Sequence, residues 1–184
     1  LAISWMNKLI EADITPSLIT FNVLLYALSN VGDVDGATTW IRRMEEEFDE
    51  EPDIISYSCQ IRAIAKSREP DVRAANAILK TIVANKLQPN LLTFNILLDV
   101  HSKIGDTKGA ERCFERITSS GLEPDVVSYS TLICAFAKRG KAEEAKAWLQ
   151  RAIDNGIQPD VVTYSSVSHA FAQSRDAVGA KQWL

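Results

Sequence analysis

Leu18-Ile19-Thr20-Phe21-Asn22 begins a phrase that the chain uses five times. It returns as Ile54-Ile55-Ser56-Tyr57-Ser58, Leu91-Leu92-Thr93-Phe94-Asn95, Val126-Val127-Ser128-Tyr129-Ser130 and Val161-Val162-Thr163-Tyr164-Ser165. A proline and a small polar residue precede each copy: Pro16-Ser17, Pro52-Asp53, Pro89-Asn90, Pro124-Asp125 and Pro159-Asp160. From Thr20 to Ser56, Thr93, Ser128 and Thr163 the steps are 36, 37, 35 and 35 residues. A period in this range marks a stacked array in which each repeat completes its neighbour's core. Function must then be sought in what recurs, not in one cleft.

Each repeat reads as two helices. Phe21, Leu24, Leu25 and Leu28 share one face, as do Phe94, Leu97, Leu98 and His101, and Tyr129, Leu132, Ile133 and Phe136. This i, i+3, i+4, i+7 spacing predicts an amphipathic helix. Gly32-Asp33, Gly105-Asp106 and Gly140-Lys141 then end it, since glycine accepts the left-handed conformation of a helix terminus. The second repeat has Ser67-Arg68-Glu69-Pro70 there, and Pro70 is expected to start the next helix. A second stripe follows in each repeat: Ala37, Trp40, Ile41 and Met44; Ala75, Ile78, Leu79 and Ile82; Ala110, Cys113, Phe114 and Ile117; Ala145, Trp148 and Leu149. Its alanine suits a close crossing of helices. Trp5, Trp40, Trp148 and Trp183 all fall at one place in this second helix and read as core packing.

Ala2, Trp5, Met6 and Leu9 carry the second-helix pattern, so the chain is expected to begin halfway through a repeat, and to stop halfway at Trp183-Leu184. The expected boundaries are 1–17 for the second helix of an incomplete repeat, 18–53, 54–90, 91–125 and 126–160 for complete repeats, and 161–184 for another incomplete one. Extra residues after Met44 and near Arg68–Asp71 read as loops, where insertion is cheap. The expected fold is all-α, a right-handed solenoid of paired antiparallel helices.

Bulk properties narrow the class. Hydrophobic residues make up 46% of the 184, enough for a packed core. No apolar run approaches the roughly 18 residues of a membrane span, and no signal-peptide pattern is present. Cys59, Cys113 and Cys134 lie far apart with no paired metal spacing, which fits a reducing compartment. The net charge of −4 does not favour a nucleic-acid binder, because phosphate affinity comes from lysine and arginine. Glu45-Glu46-Glu47 with Asp49-Glu50-Glu51 reads as a solvated acidic loop.

The W-x2-L-G-x2-Y pattern of tetratricopeptide repeats is missing. The stretch from Val126 through Ala137-Lys138-Arg139-Gly140 to Asn155-Gly156-Ile157-Gln158-Pro159-Asp160 instead resembles a unit of the pentatricopeptide repeat family, and the resemblance runs along essentially the whole chain. It implies sequence-specific binding of single-stranded RNA in mitochondria or chloroplasts, one base per helical repeat. It also implies that two residues per repeat choose the base: Asn22 with Asp53, Ser58 with Asn90, Asn95 with Asp125, and Ser130 with Asp160. Ser17 and Ser165 belong to repeats whose partner residues are missing. By the family's pairing rule the preference is U-A-U-G, with the amino end on the 5′ side. An asparagine amide both donates and accepts, which suits uracil; a serine hydroxyl leaves room for a purine. Taken singly, the closing Asp and Asn residues are helix caps, and one side chain can serve both needs.

Two further stripes follow from the resemblance. Ile19, Ile55, Leu92, Val127 and Val162 either pack on base faces, as in the family, or fill the core. Lys66, Lys103 and Lys138 share one place near the end of the first helix, where the family lays the RNA backbone; Asn30 and Gln173 replace them in the outer repeats.

No catalytic residues, metal site or cofactor is expected. No nucleophile–base pairing or glycine-rich phosphate loop stands out. His101 reads as a packing residue at a helix edge and His169 as a surface site. Single-stranded RNA is the expected partner. The alternative is a helical scaffold in an organellar complex such as a ribosome or RNA polymerase, with other proteins as partners. No membrane is expected, and exposed repeat ends are expected to drive self-association.

Overall fold

A computed structural model of the chain describes residues 2–174. Among them the chain is all-helical, an α-solenoid of helix-turn-helix repeats. In order the helices are α1 (Ala2–Glu11), α2 (Leu18–Val31), α3 (Val34–Glu47), α4 (Ile54–Lys66), α5 (Val72–Ala84), α6 (Leu91–Ile104), α7 (Thr107–Ser119), α8 (Val126–Ala137), α9 (Ala142–Asp154) and α10 (Val161–Gln173). The even-numbered helices each open on the first residue of the repeated phrase. The odd-numbered ones carry the second stripe.

Side-chain caps explain where most helices begin. Asp53, Asn90, Asp125 and Asp160 precede the first residues of α4, α6, α8 and α10, and each accepts a backbone N–H of the first turn. Asp33, Asp71 and Asp106 do the same for α3, α5 and α7. Pro70 therefore does not start α5. Asp71 does, because its Oδ1 takes the amides of Arg73 at 2.7 Å and Ala74 at 3.2 Å, which proline has no means of doing. At the other end, Gly32 closes α2 at φ 71°. A Cβ there would lie 2.7 Å from the Lys66 carbonyl oxygen, so this position needs glycine for both its backbone angle and its close approach to α4.

The acidic block is divided differently from the sequence expectation. Glu45, Glu46 and Glu47 form the last turn of α3, and only Asp49, Glu50 and Glu51 lie in the loop. Glutamate is a good helix former. The turn is also held by Arg43, which pairs with Glu47 at 2.7 Å and lies over the rings of Trp40 and Phe48. Phe48 in turn packs edge-on against Phe21, with ring centroids 5.3 Å apart.

The chain divides into two compact units, Leu1–Pro89 and Asn90–Leu184. In the first, α2 packs on α1, α3 and α4, and α4 packs on α3 and α5. Phe21, Leu25, Met44, Ile61, Leu79 and Ile82 are its fully buried large side chains, with Ala37 and Ala75 at the crossings. In the second, α6 packs on α7 and α8, α8 on α7, α9 and α10, and α9 on α10. Leu97, Leu98, Ile117, Leu132, Ile133 and Leu149 fill it, with Ala110 and Ala145 in the close contacts. Cys59 and Cys113 are buried in these cores, and burial pushes the Cys113 thiol up to about 12.

The tryptophans do not share one environment. Trp40 is 4% exposed, whereas Trp5 is 63% exposed, because among the described residues α1 has only α2 to pack on. Trp148 is half-buried, edge-on to Phe114 at 5.1 Å with the Arg151 guanidinium over its ring. Trp183 lies outside the described residues. Trp40→Ala is expected to cost about 3–5 kcal/mol, the usual range for a buried large aromatic. Trp148→Ala should cost distinctly less, and thermal melting of the two variants side by side measures the difference.

Candidate nucleic-acid interface

One rotation rule places the repeated residues. An α-helix advances about 100° per residue. In each even-numbered helix the fourth residue is the aromatic that anchors the core: Phe21, Tyr57, Phe94 and Tyr129 are buried and Tyr164 half-buried. The second residue stands about 200° away from it and must face outward. Ile19, Ile55, Leu92, Val127 and Val162 are accordingly 49% to 76% exposed. They do not fill the core. The fifth residue, Asn22, Ser58, Asn95, Ser130 or Ser165, lies one turn further on, within about 60° of the exposed aliphatic.

Two repeats share an identical arrangement around the fifth residue. In the N-terminal unit, Asn22 Nδ2 donates to Asp53 Oδ1 at 3.2 Å, and the Ser56 hydroxyl donates to Asn22 Oδ1 at 2.7 Å. In the C-terminal unit, Asn95 Nδ2 donates to Asp125 Oδ1 at 3.1 Å, and the Ser128 hydroxyl donates to Asn95 Oδ1 at 2.7 Å. The carboxylates simultaneously cap α4 and α8 by accepting from the amides of Ser56 and Ser128, both at 2.9 Å. Asn22 and Asn95 therefore meet the closing residues that the resemblance pairs them with. Part of each amide's donor and acceptor capacity is already used within the protein. Sequence reasoning missed Ser56 and Ser128. The signal was a hydroxyl at the third place of every copy, Thr20, Ser56, Thr93, Ser128 and Thr163, which reads as a capping residue alone.

The serine-type positions behave differently. Ser130 Oγ donates to the Val127 carbonyl at 3.2 Å and Ser165 Oγ to the Val162 carbonyl at 3.0 Å, each turning back onto its own helix. Asp160 accepts from the Thr163 amide at 2.8 Å and the Thr163 hydroxyl at 2.6 Å. Ser58 and Asn90 fall in different units; Ser58 is buried, and Asn90 Oδ1 accepts from the Thr93 amide at 2.9 Å. Ser17 makes no side-chain cap and lies 3.2 Å from the Thr20 hydroxyl.

The lysines are unequal as cations. Lys66 and Lys138 are exposed, at the last residue of α4 and just beyond α8. Lys103 pairs with Asp99 at 3.0 Å. Arg139 directs its Nε to the Gly105 carbonyl at 2.8 Å, satisfying the end of α6. His101 is buried, with Nδ1 2.9 Å from Asp106 Oδ2, and serves packing. Among the described residues no group of three His, Cys, Asp or Glu side chains could hold a metal ion, and no helix is long and apolar enough to cross a membrane.

Tandem helix pairs with an exposed aliphatic at a fixed register, two of them sharing the same polar pair, define a helical-repeat array. The pentatricopeptide repeat domain model matches residues 5–67 and 48–104, and the PPR repeat family model matches residues 89–138 and 124–173. The chain belongs to the pentatricopeptide repeat family. No curated protein matches it. Among solved structures it is similar to the PPR domain of Arabidopsis thaliana protein-only RNase P 1 in complex with tRNA, at 18% identity and TM-score 0.71, over 86% of this chain and 82% of that one. It is similar to maize PPR10 in complex with an 18-nt psaJ RNA element, at 21% identity and TM-score 0.58, over 98% of this chain. A third is A. thaliana nuclear proteinaceous RNase P 2, at 13% identity and TM-score 0.70, over 90% of this chain. The chain spans 36% of the PPR10 and RNase P 2 chains. At these identities the likeness is one of fold.

The capping carboxylates tie stability to pH. Burial works to raise the Asp125 pKa, but the Ser128 amide and hydroxyl and the Asn95 amide outweigh it, so the net direction is down. The Thr163 hydroxyl and amide lower that of Asp160. A carboxylate whose folded-state pKa lies below its unfolded one contributes its full stability above about pH 4. That contribution is lost as pH falls through the lowered folded-state value. Asp125→Asn keeps a capping acceptor, as Asn90 shows, and removes the titration. Its melting temperature should fall less steeply than that of the parent chain between about pH 5 and 2, and two superimposable acid profiles would contradict the assignment.

Proposed function

We propose that this chain binds single-stranded RNA sequence-specifically, one base per repeat, without catalysing a reaction. The base-reading pairs are Asn22 with Asp53, Ser58 with Asn90, Asn95 with Asp125, and Ser130 with Asp160. Ile19, Ile55, Leu92, Val127 and Val162 lie against base faces, and the core preference is U-A-U-G. The observation that carries this reading is the outward display of those five aliphatics. A protein that did not cover them with a flat apolar partner would gain nothing from five such side chains in register, and bases offer that partner. The RNA-bound state of PPR10 and the tRNA-bound state of the RNase P 1 domain support the partner class. The role follows from the family resemblance: processing, stabilising or translating a mitochondrial or chloroplast transcript.

A scaffold role in a larger organellar complex is the second reading. The net charge of −4 and the pairing of Lys103 with Asp99 favour it. The apolar groove of about 540 Å³ between α1 and α2, lined by Trp5, Met6, Leu9, Val23 and Leu24, supports self-association through that face. Selection of RNA from a random pool by the purified chain separates the two. An enriched U-A-U-G core supports reading, and no enrichment supports the scaffold.

Two measurements test the residue roles. Asn95→Ser should keep the fold and shift one choice from uracil towards guanine. The new hydroxyl would turn onto its own helix, as Ser130 does, and leave space beside Asp125. The discrimination at stake is about 1–3 kcal/mol, read as relative affinity for two RNAs differing at that base. Salt dependence tests the cations. If Lys66 and Lys138 each meet one phosphate, log affinity should fall with log salt at a slope of about −1.4. Lys103 would steepen this to about −2 only by leaving Asp99. A slope that survives alanine at all three positions would move the phosphate contacts elsewhere.

A further inference from the structure

We propose that Ser56 and Ser128 are positioning residues for base choice: each hydroxyl occupies the amide oxygen of the asparagine one repeat earlier, so that the asparagine offers the base its N–H edge alone, beside the closing carboxylate. The inference rests on the RNA-reading function and adds a third residue to the pair.

Donor inventory and distance together orient the bonds. A serine hydroxyl has one proton. Ser128 Oγ lies 2.7 Å from Asn95 Oδ1 and 2.9 Å from Asp125 Oδ1. Ser56 Oγ lies 2.7 Å from Asn22 Oδ1 and 3.0 Å from Asp53 Oδ1. In both repeats the asparagine oxygen is the nearer acceptor. The carboxylate only accepts when ionised, so the edge of the amide that faces it must be Nδ2. Turning the amide over would set Oδ1 against Asp125 Oδ1, two acceptors 3.1 Å apart. Serine and aspartate thus hold the amide from opposite sides. Asn95 is 8% exposed, so little of it reaches solvent, and an amide oxygen stripped of its donor there would be costly.

Two groups remain for the ligand: the second N–H of Nδ2, and Oδ2 of the carboxylate, since the bonds above all run to Oδ1. A donor next to an acceptor matches uracil, which presents the O4 acceptor beside the N3–H donor. Cytosine presents the same two places in the reverse order, N4–H donor and N3 acceptor. Removing the hydroxyl releases Oδ1. The amide is then held from the carboxylate side alone, so its Nδ2 donor is no longer fixed against uracil O4 and the margin over cytosine narrows. The expected loss is in discrimination, with binding to the rest of the RNA retained.

The C-terminal unit supplies its own control. Thr163 holds the same register, and its hydroxyl donates to Asp160 Oδ1 at 2.6 Å. Its repeat partner is Ser130, which bonds the Val127 carbonyl instead. Thr163→Ala therefore removes a cap hydroxyl without releasing an asparagine.

The test is competition binding of the full chain to RNAs that differ from U-A-U-G at one nucleotide. The parent chain should prefer uracil over cytosine by about tenfold at each asparagine-read nucleotide. Ser128→Ala should reduce that preference to within about threefold at its own nucleotide only, and Ser56→Ala likewise at its own. Thr163→Ala should lower the melting temperature comparably and leave every preference in place. If Asn95→Ala abolishes the uracil preference and Ser128→Ala keeps it, the reading function stands and the positioning role is overturned. If Thr163→Ala erodes the choice at its nucleotide as strongly, the hydroxyls act through the caps, which also overturns it. A parent chain that shows no preference overturns both.

Discussion

No described helix in this chain is long enough to stand by itself. The described helices run from 10 to 14 residues, a length at which an isolated helix is marginal in water. Each is held by burying an apolar stripe against its neighbours, and the alanines at the crossings let the backbones approach closely enough to do it. The aromatic at the fourth place of each first helix is the pivot of that burial. Once it points inward, the helical rotation leaves the second residue no choice but to face solvent. The display of aliphatic side chains and the position of the asparagine or serine one turn later are by-products of core packing, repeated wherever the aromatic is repeated.

In two repeats the polar side joins helix capping to the proposed base reading in the same atoms. Asp53 and Asp125 accept the first-turn amides that would otherwise lack partners and also hold an asparagine from the preceding repeat. The helix start and the proposed reading pair therefore cannot move independently. A base that met this pair would find a surface ordered before it arrived, so little conformational entropy would be lost on binding.

Repeat length, the two helices and the family were legible in the sequence because each is a periodic signal, restated five times. Local competition between residues was less legible. Pro70 looked like a helix start until Asp71 took the amides of Arg73 and Ala74. Glu45 to Glu47 looked like a loop because charge hid their helical propensity and the Phe48 anchor on Phe21 lay 27 positions away in the chain. The candidate pairs could be named from the resemblance, but the Ser56 and Ser128 contacts could not. Each spans more than 30 residues and depends on which atom of an amide faces which neighbour. Periodicity carries no information about that. The aliphatic stripe, open between core and surface in the sequence, was decided by the rotation of the helix alone.

The double duty proposed for the closing residue limits how such an array could change its preference over evolutionary time. Only a short acceptor side chain caps a helix well, which leaves aspartate, asparagine, serine and threonine as tenants of that place. Replacement by alanine or a larger apolar residue would give up about 1 kcal/mol of helix stability in that repeat, whatever it did for base choice. An array of marginal repeats has little reserve to absorb several such losses. Under the proposed function, the vocabulary of the recognition surface is then set by what starts a helix, and new targets are reached by shuffling a few capping residues among repeats in place of inventing new contacts.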